Sequence, residues 1–165
     1  MNKIRYSLAA VVLAGATASM TGTASADPWP FPTCSEIQTS TGDGYVYAFP
    51  NQNCQGNRLG RSQGNDSDWG QPGGGFTDSA TDRARSVVNN GQVDPNGYNV
   101  VALYDYTAYS WQWGYRCLDR GDWVTDLVGH TYTPNPNGTR TKMAYTISSH
   151  QWVKKSACAA GSMIG

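Results

Sequence analysis

The chain has 165 residues, with 12 Lys and Arg against 12 Asp and Glu, and it contains 19 Gly, 8 Pro and 4 Cys. Zero formal charge supplies no basic field for nucleic acid or an anionic membrane surface, so neither is an expected partner. Eleven of the acids are Asp and one, Glu36, is Glu, which excludes a Glu/Glu glycosidase pair and leaves Asp pairs open.

Residues 1–26 combine a basic start (Lys3, Arg5), a short apolar run from Leu8 to Ala16 and the small residues Ala24-Ser25-Ala26. That order is a secretory signal peptide. The apolar run is too short for a bilayer, and no later segment approaches the roughly 20 residues that a span needs. The expected mature protein is one domain over 27–165, extracellular and free of the membrane. It opens with Asp27-Pro28-Trp29-Pro30-Phe31-Pro32, whose prolines keep it out of a sheet interior.

Export makes disulfides the natural state of Cys34, Cys54, Cys117 and Cys158. Three pairings are possible. Cys34–Cys54 with Cys117–Cys158 is preferred because each bridge then staples one half of the chain, worth roughly 3 and 4 kcal/mol on the loop-entropy model. No two cysteines have metal-finger spacing.

Strand signals follow in chain order at Tyr45–Phe49, Arg85–Val88, Asn99–Tyr104 and Met143–Ile147, separated by turn-formers such as 70–75, Asp94-Pro95-Asn96-Gly97 and 134–138. Short strands between frequent turns predict an all-β sandwich or barrel. The pattern also repeats, about 45–90 and again about 99–152. Each copy opens with an aromatic strand and a tight turn, passes an Asp-Trp (Asp68-Trp69, Asp122-Trp123), and closes on Ala84-Arg85-Ser86-Val87 or Ala144-Tyr145-Thr146-Ile147. A duplicated β unit buries one face of each copy against the other.

An aromatic, a second bulky residue five places on, a Gly two beyond it and a Ser much later (Phe49, Cys54, Gly56 and Ser86 in the first copy) resemble the βγ-crystallin Greek-key motif. The resemblance implies a βγ-crystallin-like double Greek-key β-sandwich, in which the Gly lets the first hairpin fold over and the Ser bonds it. Secretion, the four cysteines and the stretch Phe76–Asn90 are similar to the small secreted bacterial metalloprotease inhibitors of peptidase inhibitor family 36. Both copies depart from the motif: in the first, Cys54 replaces the second aromatic, and in the second, Trp111 stands at the glycine position with Gly114 three places later, so its hairpin must be enlarged or bulged. Calcium-binding members of the fold carry two Asn/Asp, two variable residues and Ser/Thr-Ser. The matching segments are Thr81–Ser86 and Thr141–Thr146, where Arg85 and Lys142 put cations among the expected oxygens. No tight calcium site, no other metal and no cofactor are expected.

Catalytic patterns are sparse. There is no Gly-x-Ser-x-Gly and no His-Glu-x-x-His, and His130 and His150 read as a loop histidine and a strand-end histidine. Asp119, Asp122 and Asp126 are interleaved with Arg116 and Arg120, which suits a salt-laced turn better than an acid–base pair. A hydrolase using Asp122 or Asp126 with His130 is a third alternative, and a non-enzyme is the reading adopted. The aromatic run Tyr104, Tyr106, Tyr109, Trp111, Trp113, Tyr115 places several rings on one sheet face, as core packing or as an exposed platform with Trp111 and Trp113 at its centre.

The family resemblance thus implies an inhibitor whose partner is an extracellular protease, met by a rigid, disulfide-braced loop; a monomer is the expected state. Gln92–Tyr98, which joins the two copies, is one candidate, with Val93 as an apolar anchor next to Asp94 and with Pro95 stiffening the loop; the alternative for it is a plain connector. The alternative is a cell-wall or carbohydrate-binding module, or a small toxin, on the same fold.

Overall fold

A computed structural model describes residues 31–76 and 79–165. The segment 1–26, expected to be a signal peptide, and the first part of the proline-rich lead-in lie outside the described residues. The elements are α1 (Cys34–Ile37), β1 (Tyr45–Phe49), β2 (Gly60–Ser62), β3 (Ser86–Asn90), β4 (Val100–Tyr104), β5 (Tyr115–Leu118), β6 (Trp123–Val124), β7 (Ser149–Val153) and β8 (Met163–Ile164), with short 3-10 turns between them. They form two four-stranded sheets, ordered β2-β1-β3-β6 and β7-β4-β5-β8.

Alternation along each strand assigns its faces. Val46 and Ala48 of β1, Val87 of β3, and Val101 and Leu103 of β4 point inward and join Trp69, Phe76, Leu127, Met143 and Ile147 in the core between the sheets. The opposite faces are buried as well. Tyr47, Phe49 and Val88 pack with Cys34 and Cys54 on the outside of the first sheet, and Val100, Ala102 and Tyr104 with Cys117, Cys158 and Met163 on the outside of the second. Strands buried on both sides read as continuous apolar runs, which is why β1 and β4 are so visible in the sequence, whereas β3 is buried with Val87 and Val88 between polar residues.

The expected disulfides, Cys34–Cys54 and Cys117–Cys158, are the ones formed. Each fastens a terminal segment over an outer sheet face, α1 on one side and the chain from Cys158 to β8 on the other. The only glutamate serves this cover, since Glu36 accepts a hydrogen bond from the Thr33 backbone N–H at the start of α1 (2.7 Å). That bond holds its carboxyl below the ordinary glutamate range.

Two exchanges interlock the halves. β6, from the second half, pairs with β3, while Asp66, from the first half, bridges His150 on β7. Each copy is therefore a Greek key whose third extended segment crosses to the other sheet, and the expected double Greek-key β-sandwich with two disulfides is the fold observed.

The backbone of the duplication is close. Asn53 and Cys54 in the first hairpin have positive φ (52° and 61°), and so do Ala108 and Tyr109 in the second (both 56°). Ser86 Oγ accepts from Cys54 N (2.9 Å) and donates to Asn51 O (2.6 Å). Its counterpart is Ser149, whose Oγ accepts from Tyr109 N (3.3 Å) and donates to Tyr106 O (2.6 Å).

This corrects the sequence alignment of the second copy, which placed Thr146 opposite Ser86 and a strand over Met143–Ile147. The closing strand is β7, three residues later. Met143 and Ile147 are fully buried, but the segment between them turns, with Tyr145 at φ 64° and Thr146 Oγ1 bonded to Lys142 O (2.7 Å). Two apolar side chains four apart plug the end of the sandwich without a strand. The second hairpin is one residue longer than the first, since Ala48 pairs with Gly60 and Leu103 with Arg116. Its positive-φ glycine is Gly114 (97°), where the first has Gly56 (84°), as the displaced glycine required.

Candidate binding surfaces

Two surfaces stand at opposite ends of β4. At its start lies the linker Gln92–Tyr98, and at its end the hairpin 105–114.

The linker is braced by its own polar groups. Asp94 N donates to Asn99 Oδ1 (2.7 Å), Asn96 N to Asp94 Oδ1 (2.7 Å) and Gly97 N to Asp94 O (2.9 Å). This is an Asx-braced turn with Pro95 at its first corner. The two disulfides sit on the outer sheet faces, so the expected disulfide bracing of this loop is replaced by the Asp94 and Asn99 side chains. Val93 projects from it with 68% of its surface exposed. Beside it opens a cleft of about 760 Å³ lined by Val93, Asp94, Pro95, Tyr98, Trp152 and the amides of Gln63, Asn65, Gln92 and Gln151. Trp152 forms part of this wall, its backbone N–H bonded to Asn65 Oδ1 (2.8 Å) and its indole N–H buried without a partner among the described residues.

At the other end the aromatic run divides, instead of sharing one sheet face. Tyr104, Tyr109 and Tyr115 cluster over the outside of the second sheet, with Tyr104 6.0 Å from each of the other two rings. Tyr106, Trp111 and Trp113 face solvent, Trp111 the most at 65% exposure, and the Tyr106 and Trp113 rings lie 5.0 Å apart. The two tryptophans occupy the 3-10 turn Trp111–Trp113 that the longer hairpin provides.

The titratable residues fall into structural places. His150 is fully buried, accepts from Trp69 Nε1 at Nδ1 (2.9 Å) and bonds Gly64 O through Nε2 (2.9 Å). These bonds assign the neutral Nε2–H tautomer, and burial pushes its pKa down to about 4. The Trp69 and Phe76 rings stack 3.9 Å apart with His150 edge-on to both. Asp66, just before them in the fold, is raised above the carboxylate range by burial, opposed by the Asp68 and Phe76 N–H groups.

The salt-laced turn expected around Arg116 and Arg120 is built differently. Asp119 pairs with Lys155 (2.6 Å) and Asp126 with Arg85 (2.9 Å), whereas Arg116 bonds the carbonyls of Thr131 and Gly161. Both pairs join segments remote in sequence. Arg85 holds the Asp126 carboxyl below its ordinary range, leaving it a poor proton acceptor beside His130.

With Ser149 as the anchor, the second calcium-type segment is 144–149, so Ala144 and Tyr145, not Thr141 and Lys142, stand at its acidic positions. In the first, Arg85 is committed to Asp126 and Asp82 Oδ1 accepts from Ser148 Oγ (3.0 Å). Among the described residues no three His, Cys, Asp or Glu side chains gather as a metal site.

No family model matches the chain, and no curated protein does. One similar solved structure bears the description "Evolution of the eye lens beta-gamma-crystallin domain fold". It shares 20% identity with this chain, covering 70% of it and 90% of the other chain, with a TM-score of 0.46.

Proposed function

We propose that the protein is a secreted, monomeric inhibitor of an extracellular metalloprotease, acting by binding without turnover through the linker Gln92–Tyr98. The observation that carries this reading is an apolar side chain, Val93, presented to solvent on a turn already fixed by three hydrogen bonds. A fixed turn loses little conformational entropy on docking and presents its backbone in one geometry. The metalloprotease class rests on the resemblance of Phe76–Asn90 and the disulfide-braced secreted chain to family 36 inhibitors. The cleft beside Val93, with four side-chain amides and two rings, offers neutral hydrogen-bonding groups to main chain of a partner seated on the loop.

The test is titration of the mature protein against a thermolysin-type metalloprotease, with a serine protease as control. Stoichiometric loss of metalloprotease activity is expected, weakened at least tenfold by Val93→Asp. Full protease activity at micromolar excess of intact, correctly bridged protein overturns the reading.

A further inference from the structure

The two hairpins solve the same folding problem, and only one displays aromatic rings. In the first, the stretch aligned with Trp111-Gln112-Trp113 is Gly56-Asn57-Arg58, and that hairpin closes with the same positive-φ pair and the same Ser bond. The exposed tryptophans are therefore not required for the turn. Removing large apolar rings from water is favourable, and rings left in water on a braced loop mark a surface that something else covers.

We propose that Tyr106, Trp111 and Trp113 form a stacking platform for the pyranose rings of a neutral, insoluble polysaccharide. The chemistry of the hairpin selects this occupant. From Tyr106 to Tyr115 there is no charged side chain, and the polar groups beside the rings' own O–H and N–H groups are the hydroxyls of Thr107 and Ser110 and the amide of Gln112. The electron-rich face of an aromatic ring accepts the C–H face of a sugar ring, while hydroxyls and amides meet the sugar's rim. A nucleic acid needs cations along its backbone, and an interfacial lipid site sets basic residues around its apolar and aromatic ones; this hairpin carries no cation between Tyr106 and Tyr115.

The platform is also pre-organised. Ser149 Oγ holds Tyr106 O, Ala108 N donates to Ser67 O (2.7 Å), and Tyr115 N donates to Thr133 Oγ1 (3.1 Å). Both ends of the ring-bearing segment are thus fixed to the sandwich, which limits the ordering cost of binding.

The experiment is co-sedimentation of the full mature protein with microcrystalline cellulose and with chitin, at low salt and at 1 M NaCl. Retention is expected on at least one polymer and in both salts, reduced at least tenfold in Trp111→Ala/Trp113→Ala and largely kept in Trp113→Phe. An unchanged thermal midpoint of the double variant separates lost binding from lost folding. Absence of retention on either polymer, equal retention of the double variant, or retention abolished by salt overturns the proposal. The site lies at the other end of β4 from the linker, so the double variant still inhibits the protease and Val93→Asp still binds the polymer; failure of one reading is thereby distinguished from failure of the other.

Discussion

The two halves share one frame of hydrogen bonds and fill it with different chemistry. Trp69 N donates to Ser148 O (2.9 Å) and Leu127 N to Arg85 O (2.8 Å), which makes Trp69 and Leu127 counterparts, as are His150 and Val87 on the closing strands. One end of the core is therefore a polar-aromatic triad, Trp69, Phe76 and His150, and the matching end is the aliphatic pair Val87 and Leu127. The hairpins differ likewise: the first spends its second positive-φ position on Cys54 and a disulfide, the second on Tyr109 packed against Tyr104. Main-chain geometry and the anchoring serines are what the duplication needs, and side chains are free to diverge wherever volume and hydrogen bonds still balance.

The largest break in this comparison is expected at the triad. His150→Ala leaves the Trp69 indole N–H and Gly64 O unpaired beside a cavity, and should cost roughly 3–5 kcal/mol in urea unfolding. Val87→Ala, at the matching position, removes only buried methyl groups and should cost about 2 kcal/mol. Equal losses would show that the polar triad is no more demanding than the aliphatic pair.

The disulfides come next. Replacing Cys117 and Cys158 by Ser releases a bridge between residues 41 apart, and the same change at Cys34 and Cys54 one between residues 20 apart. The chain-entropy model gives about 4 and about 3 kcal/mol, read as shifts of the denaturation midpoint. A larger loss from the shorter bridge would mean that covering the first sheet's outer face outweighs loop closure.

Acid should also distinguish the ends. His150 titrates near 6.5 when unfolded and at about 4 when folded, so the unfolded chain binds the extra proton between these values. Stability is complete above pH 6.5, falls as pH drops towards 4, and the loss reaches about 3 kcal/mol below that. Asp66, Asp105 and Asp122, each raised chiefly by burial, act in the opposite sense as they protonate. The His150 part is isolated by His150→Gln, whose unfolding free energy should be flatter between pH 6.5 and 4. An unchanged slope would contradict the buried neutral imidazole.

The smallest expected effect concerns the shared frame. Ser86→Ala and Ser149→Ala each remove two hydrogen bonds to a folded hairpin and should cost about 1–2 kcal/mol. The second should be the milder, because its accepted bond is the longer one, 3.3 Å against 2.9 Å. The reverse order in thermal melts would argue against Ser149 as the counterpart of Ser86.

Much of this architecture could be read before any coordinates. β1 and β4 are local apolar runs, the duplication is spaced by turn residues, and the cysteine positions favour the pairing that staples each half. These features depend on period, composition and loop length, which neighbours along the chain encode. Three others do not work that way. Ser149 could not be chosen over Thr146 because both follow an apolar stretch, and only the crossing of the halves shows which hydroxyl reaches a hairpin. Asp119 and Asp126 find partners at Lys155 and Arg85, far along the chain. Tyr104 and Trp111 belong to one aromatic run, yet one is buried and the other faces water. Chain order determined which residues are aromatic, apolar or bridged; folding decided which of them are covered, because burial is settled by what packs on a face and not by the side chains that the face carries.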